Sequence, residues 1–408
     1  MYAYKETLQQ KFNDVYNNLN PEQKMAVDTI EGPVMVIAGP GTGKTQILAA
    51  RIGKILLETD ALPENILCLT YTEAGAIAMR RRLLTFIGAD AYKVNIYTYH
   101  AFCNDVIQDN LPLFEKNTLD PVSALESIRF FKELIDRFPK GHLLKRYRGD
   151  VYYDIKNLQS LFSAMKKENW SPEYIIPRID QYIRELPTRE EYIYQKKYRE
   201  FNKGDKKQDK IDQEIEKMER LKAAVSEFEN YRQIMLKYNR YDFDDMINWV
   251  IKVFENNDTV LADYQEKFQY ILVDEYQDTS GSQNKLVQLL INYWHAPNIF
   301  VVGDDDQSIF RFQGANIENM QQFANEYKND LKKIILTRNY RSTQPILDTA
   351  KILIDKNKER LITKMPGINK NLQASNHKIK ELTNFPEILE YETVKEEMAG
   401  ICNRVEAL

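Results

Sequence analysis

The 408-residue sequence predicts an α/β fold: a parallel sheet carrying a phosphate-binding loop, interrupted by an inserted all-helical domain. Three observations predict it. Val34-Met35-Val36-Ile37 is a short unbroken apolar run, the mark of a strand buried on both faces, and it leads through a glycine-rich turn into a helix-forming segment, Gln46 to Leu57. Further apolar runs with polar ends recur at Ile66–Tyr71, Val94–His100, Tyr270–Val273 and Ile299–Val302. From about Asn104 to Asn239 such runs vanish, glycine is scarce, and helical periods rich in tyrosine and lysine take over.

The turn Ala38-Gly39-Pro40-Gly41-Thr42-Gly43-Lys44-Thr45 stands between strand and helix, the context a phosphate-binding loop requires. Backbone N–H groups from Gly39, Gly41, Thr42, Gly43 and onward to Gln46 would wrap an anion at the positive end of the helix dipole. Lys44 would reach the β- and γ-phosphates of a nucleoside triphosphate, and the Thr45 hydroxyl would hold Mg²⁺. Ala38 replaces the first glycine of the usual pattern; it ends the strand, where a methyl group is tolerated.

Composition bounds the rest. Hydrophobic residues at 43% and charged residues at 28% are ordinary for a globular chain long enough for two or three cores. No apolar run reaches 18 residues, and the polar N-terminus lacks the apolar core of a signal peptide. Cys68, Cys103 and Cys402 are too scattered for a disulfide frame or a zinc site, so reduced thiols and a cytoplasmic location are expected. A net charge of -4 excludes a globally basic nucleic-acid binder, leaving only a local basic or aromatic track.

In chain order, Asn20 and Pro21 open the first helix as N-cap and first residue. Gln23, one turn in, carries the donor–acceptor pair that reads an adenine edge. Tyr71, Thr72, Thr98 and His100 fall at strand ends, on the sheet edge where open α/β folds bind ligands, whereas Tyr97 and Tyr99 read as packing residues. Gln195 to Arg220 alternates charge like a solvated helix. Asp242, Asp244 and Asp245 read as the acidic first turn of a helix rather than a metal cluster.

After the strand at Tyr270–Val273, Asp274 would contact the Mg²⁺ shell and Glu275 would polarise the attacking water. Gln307, past the next strand, would sense the γ-phosphate. Phe310 and Phe312 follow, placed to stack on bases, each stack worth roughly 1–3 kcal/mol. Ile334-Ile335-Leu336-Thr337 is expected to begin a new sheet, with a helix from about Pro345.

The set LNPEQ, AGPGTGKT, LTYTEAGAIAM, IYTYHAFC, RYDFDDM, ILVDEYQDTS, VVGDDDQSIFRFQGA and LTRNYRST resembles the superfamily 1A DNA helicases of the UvrD/Rep/PcrA type, over essentially the whole chain. The resemblance implies two RecA-like domains clamping ATP, with single-stranded DNA crossing their top. Residues 1–103 and 240–333 would form RecA-like domain 1A, 104–239 helical domain 1B, and 334–408 the incomplete beginning of RecA-like domain 2A. It implies that Gln23 and Arg51 read adenine, that Tyr340 stacks on it, and that Arg341 is an arginine finger in cis. ATP, Mg²⁺ and single-stranded DNA or a single-/double-strand junction are the implied ligands, and 3′–5′ translocation or unwinding the implied activity.

Two departures predict a weaker DNA grip. Phe312 and Gln313 stand where the family carries tryptophan and arginine, and Glu73-Ala74-Gly75-Ala76 replaces Asn-Lys-Ala-Ala, each change removing a cation. No VHAAKGLE-like or VALTRAEE-like segment is present, so the chain reads as the N-terminal portion of a longer helicase, with the remainder of 2A and 2B in the parent protein. A nucleotide-gated DNA-binding fragment without useful turnover is the alternative. A phosphate-loop ATPase acting on protein is a third reading, disfavoured because it leaves Gln307 and the aromatics without a role.

Overall fold

The computed structural model describes residues 2–114, 120–198, 200–308, 317–358, 360–365, 367–383 and 385–407. Its strands are β1 (Val34–Ala38), β2 (Ile66–Thr70), β3 (Asn95–Thr98), β4 (Asp120–Pro121), β5 (Arg240–Tyr241), β6 (Tyr270–Val273), β7 (Ile299–Gly303), β8 (Lys332–Leu336), β9 (Arg338–Asn339) and β10 (Gln373–Ala374). Six of them form one sheet in the order β3-β2-β6-β7-β1-β8, every neighbouring pair parallel. β1, β2, β6 and β7 are buried along their whole length.

Period-two side chains divide the core between the two faces of the sheet. Met35, Ile37, Leu67, Leu69, Ile271 and Val301 pack under helices Tyr99–Asp109, Phe243–Asn256 and Gly281–Ile291. Val34, Val36, Cys68, Leu272, Phe300 and Val302 face helices Lys44–Glu58 and Glu73–Ile87 on the other side. Because all strands run one way, their carboxyl ends share one edge, and the loops that follow β1, β2, β3, β6 and β7 all emerge there.

β8 corrects one expectation. Residues 332–336 do not begin a second sheet; they pair in parallel with β1 from Val34↔Lys332 to Ala38↔Leu336. An apolar strand looks the same in sequence whichever sheet receives it, and here the open flank of β1 does. A separate two-stranded pairing, β9 with β10, follows at once, so departure from the first sheet comes at Thr337, not before Ile334.

The helical insertion has its own core, with Phe130, Phe131, Leu134, Phe162, Val225, Tyr231 and Ile234 buried together. β4 and β5 pair at its neck, where the chain leaves the sheet and returns. The helix expected from Gln195 to Arg220 starts only at Gln208: before it, bridges Ile193↔Lys206 and Tyr198↔Phe201 form a small hairpin, with Tyr194 and Phe201 stacked at 4.8 Å. Past the Phe201 bridge, Gly204 (φ +99°) and the Asn202–Asp205 hydrogen bonds bend the returning strand, a backbone choice the charge pattern does not reveal. Among the described residues no helix is long and apolar enough to cross a membrane.

Candidate nucleotide site and strand track

The turn after β1 has the shape its glycines allow. Gly41 (φ +69°) and Gly43 (φ +92°) are left-handed, and the helix begins at Lys44 with Gly43 as its cap residue. The buried Thr42 hydroxyl donates to Gly39 O at 2.7 Å and closes the loop on itself. Lys44, at the helix start, extends across the end of β7 to Glu275, just past β6, with Nζ 2.6 Å from Oε2. The two predicted partners are therefore in contact, the lysine holding the carboxylate. Thr45 and Gln46 follow on the first turn, both partly exposed.

Glu275 stands in a left-handed backbone conformation (φ 49°, ψ 45°), rare for a residue with a side chain and costly by roughly 1–3 kcal/mol. Its surroundings hold it there: Glu275 N donates to Asp274 Oδ1, and Gln277 Nε2 donates to Glu275 Oε2 at 3.0 Å. Gly303 at the end of β7 makes room, since a Cβ on it would lie 2.5 Å from Gln277 Oε1. Asp274 is buried beside this group. Burial, then repulsion from Glu275, pushes its carboxyl up to about 6 although Lys44 pulls the other way. A divalent cation there would offset both causes, and Thr45, partly exposed on the first turn after the loop, is a hard oxygen donor, so donor type and electrostatics fit a hard cation. Among the described residues no cluster of three or more His, Cys, Asp or Glu stands ready to hold a metal unaided.

Gln307 lies in the same network, its Nε2 donating to Asp304 Oδ2 at 2.8 Å. From the tail, Tyr340 N donates to Gly41 O at 2.9 Å, and its hydroxyl accepts from Asn20 Nδ2 at 3.0 Å. Arg341 sits directly on the loop: a Cβ added to Gly41 would come within 2.6 Å of the Arg341 Cβ. Its side chain is exposed, with its backbone N–H held by Asn339 Oδ1.

Two adenine-side expectations meet a different arrangement. Gln23 is buried, and both its polar ends are in use: Oε1 accepts from Asn20 N in a capping box, and Nε2 donates to Thr42 O at 2.8 Å. In this state it seats the loop. Arg51 is a correction. It is 1% exposed, its guanidinium donating to the carbonyls of Ala26, Thr29 and Ile30 and lying 4.4 Å from the Phe300 ring centroid. Burial lowers its pKa to about 9, so it stays charged at neutral pH as an internal clasp between the helix end and β7, facing no cleft.

The expected strand-track residues gather on the same sheet edge, in two roles. Thr72 and Thr98 are N-caps, accepting from Gly75 N and Ala101 N. Tyr71 is 43% exposed, an aromatic surface free to be stacked upon. His100 is half-buried, its Nε2 has no partner among the described residues, and burial holds its imidazole below the usual range. Phe310 and Phe312 lie outside the described residues. Sequence reasoning missed Phe243. Asp242 and Asp245 do form the expected capping box, but between them Phe243 projects 61% exposed, edge-on to His100 at 6.2 Å. An exposed phenylalanine one residue after an N-cap was the available signal.

With this geometry in place, the chain matches the UvrD/REP helicase N-terminal domain over residues 19–328. The chain belongs to that family. It is 32% identical over 348 residues to the ATP-dependent DNA helicase PcrA of Staphylococcus epidermidis, and 33% identical over 352 residues to that of Bacillus subtilis strain 168. Each alignment covers 85% of this chain and 41% of the relative, so the chain spans under half the length of the curated relatives it matches. The UvrD/REP assignment agrees with the six-stranded parallel sheet and accounts for a phosphate loop facing an acidic strand end.

Proposed function

We propose that this chain is the ATP- and DNA-binding N-terminal part of an ATP-driven single-stranded DNA translocase or helicase of 3′–5′ polarity, acting in the cytoplasm. One observation carries the reading: Lys44 and Glu275 meet at 2.6 Å across the sheet edge that also bears Tyr71 and His100. Lys44 binds the triphosphate, displacing its contact with Glu275, and the released Glu275 accepts the proton of the attacking water. Thr45 and Asp274 hold Mg²⁺, which when bound neutralises developing phosphate charge. Gln307 monitors the γ-phosphate, and Arg341 approaches it from the tail side. The loop N–H groups from Gly39 to Gln46 take the phosphates; Tyr340 stacks on the base, and Gln23 exchanges Thr42 O for it. Single-stranded DNA, or a junction with duplex, lies over Tyr71, Thr72, Thr98, His100 and Phe243, with Phe310 and Phe312 supplying further stacking. The PcrA relatives are named ATP-dependent DNA helicases, which supports both ligands. Residues 104–239 act as domain 1B, and the segment past Thr337 as a 2A-type element against the loop.

The test is nucleotide binding with Mg²⁺ in the wild type and in Lys44→Ala. About a hundredfold weaker binding is expected, close to 3 kcal/mol. Equal affinity in the two proteins would sink the assignment. A second reading, a nucleotide-gated DNA-binding module without turnover, is favoured by the Lys44–Glu275 pair itself, which occupies the base. ATP hydrolysis stimulated by a dT oligonucleotide excludes it.

A further inference from the structure

Past residue 328, where the match to the family ends, the tail returns two buried cations to the end of β7. Lys370 is 5% exposed, and its Nζ lies 2.6 Å from Asp304 Oδ1, 2.6 Å from Asp305 Oδ1 and 2.7 Å from Asp306 Oδ2. The ammonium donates hydrogen bonds to Asp304 and Asp305, and its charge also faces Asp306. Arg360, also 5% exposed, grips both oxygens of Asp306 at 2.7 and 2.8 Å and reaches Asp355 as well. Asp305 Oδ2 accepts the Leu361 N–H, so the carboxylate held by Lys370 also pins the tail backbone.

The cluster does not end there. Asp304 Oδ2 accepts from Gln307 Nε2, and Asp304 N donates to Gln277 Oε1 at 2.9 Å. Gln277 Nε2 then donates to Glu275 Oε2, the oxygen that accepts from Lys44. A hydrogen-bonded chain thus runs Lys370–Asp304–Gln277–Glu275–Lys44, with Gln307 as a branch and Ser308 Oγ donating to Gln277 O beside it. Buried ion groups add little net stability over apolar packing of the same volume, so stability alone is a poor reason for this arrangement. Three adjacent carboxylates, two of them buried, in contrast repel one another without a cation among them.

We propose that Lys370 is a positioning residue for ATP hydrolysis: by fixing Asp304 it sets both Gln307 and, through Gln277, the base Glu275, so hydrolysis depends on the tail being seated. This rests on the nucleotide-site reading above. The cation and two of its three carboxylates touch no position assigned to the nucleotide, which makes the effect separable from binding.

The test uses Lys370→Met, the charge-balanced Lys370→Met/Asp305→Asn, and the exposed-site control Lys380→Met. In the nucleotide-free chain, amide hydrogen exchange at 275–278 and 304–308 is expected to rise at least tenfold in both Lys370 variants and to stay unchanged in the control. With ATP and a dT oligonucleotide, kcat is expected to fall tenfold or more with KM for ATP within twofold. The double variant is expected to recover melting temperature but not kcat. Unchanged exchange at 275–278, or a kcat that recovers together with melting temperature, overturns the proposal. A wild type that hydrolyses no ATP contradicts the proposed function alone, and the exchange measurement then decides for Lys370 by itself.

Discussion

The two walls of the proposed nucleotide cleft are built differently. The sheet wall, from β1 to the Asp274–Glu275 pair, is anchored in strands buried along their whole length, and its loop is closed by its own Thr42 and by Gln23. The tail wall has little core. Leu347 and Leu361 are buried, but Ile346, Ile352 and Leu353 are exposed, and helix Val394–Glu406 buries no residue. What seats the tail is a small apolar contact, Leu361 with Met365 and Ile368 on the sheet's core, and a larger set of polar ones: Asn339 on the loop, Tyr340 on Gly41 and Asn20, and Lys370 and Arg360 on the aspartates. Apolar packing holds most of one wall, whereas directional contacts make up most of what holds the other, around the single apolar anchor at Leu361.

The contrast can be broken first on the sheet wall. Arg51→Ala is expected to cost about 3–5 kcal/mol, because the carbonyls of Ala26, Thr29 and Ile30 lose their donor inside the core. Denaturant unfolding measures the loss. Nucleotide affinity of the folded variant within threefold of wild type separates a clasp from an adenine reader, and a selective loss of affinity would restore the reader.

On the tail wall, Asn339 is 0% exposed; its amide donates to Pro40 O, and its Oδ1 accepts from Arg341 N and Ser342 N. Asn339→Ala should cost about 1–3 kcal/mol and speed proteolysis of the tail while the sheet stays protected. Simultaneous cleavage in both walls would show that they are one unit.

Asp278 sharpens the comparison through pH. Burial, then Glu275, pushes its carboxyl up to about 6, and its Oδ1 has no partner among the described residues. A folded pKa above the ordinary one means the favourable contribution is complete at low pH and lost as pH rises through about 6. Asp278→Asn should therefore stabilise by about 1 kcal/mol at pH 7, a value reduced for solvent screening, and by nothing near pH 3.5. Calorimetry at the two pH values checks the sign. The smallest effect belongs to Ile401, 53% exposed on the last helix: Ile401→Ser should change stability by less than about 0.5 kcal/mol.

Much of the sheet wall was legible because its signals are local. A strand, a glycine turn and a helix in register announce a phosphate loop, and an apolar run ending in Asp274-Glu275 announces its acidic partner. Thr72, Thr98 and the Asp242 capping box followed from which residues satisfy a helix N-terminus. Arg51 was misplaced because an arginine about two turns into the helix after a phosphate loop has the same letters whether it points to the cleft or to Phe300. Phe243 was overlooked because its exposure depends on how the helical insertion meets the sheet.

By itself, then, the sequence determined the α/β class and the family, since each rests on residue types at short, fixed spacings. Only the tertiary structure decided that β8 completes the first sheet beside β1, that Arg51 is internal, and that Lys370 reaches back to Asp304, Asp305 and Asp306. Those are contacts between segments far apart in the chain. Their partners are chosen by which strand flank lies open and which buried carboxylates need a cation, and neither condition exists until the sheet has formed.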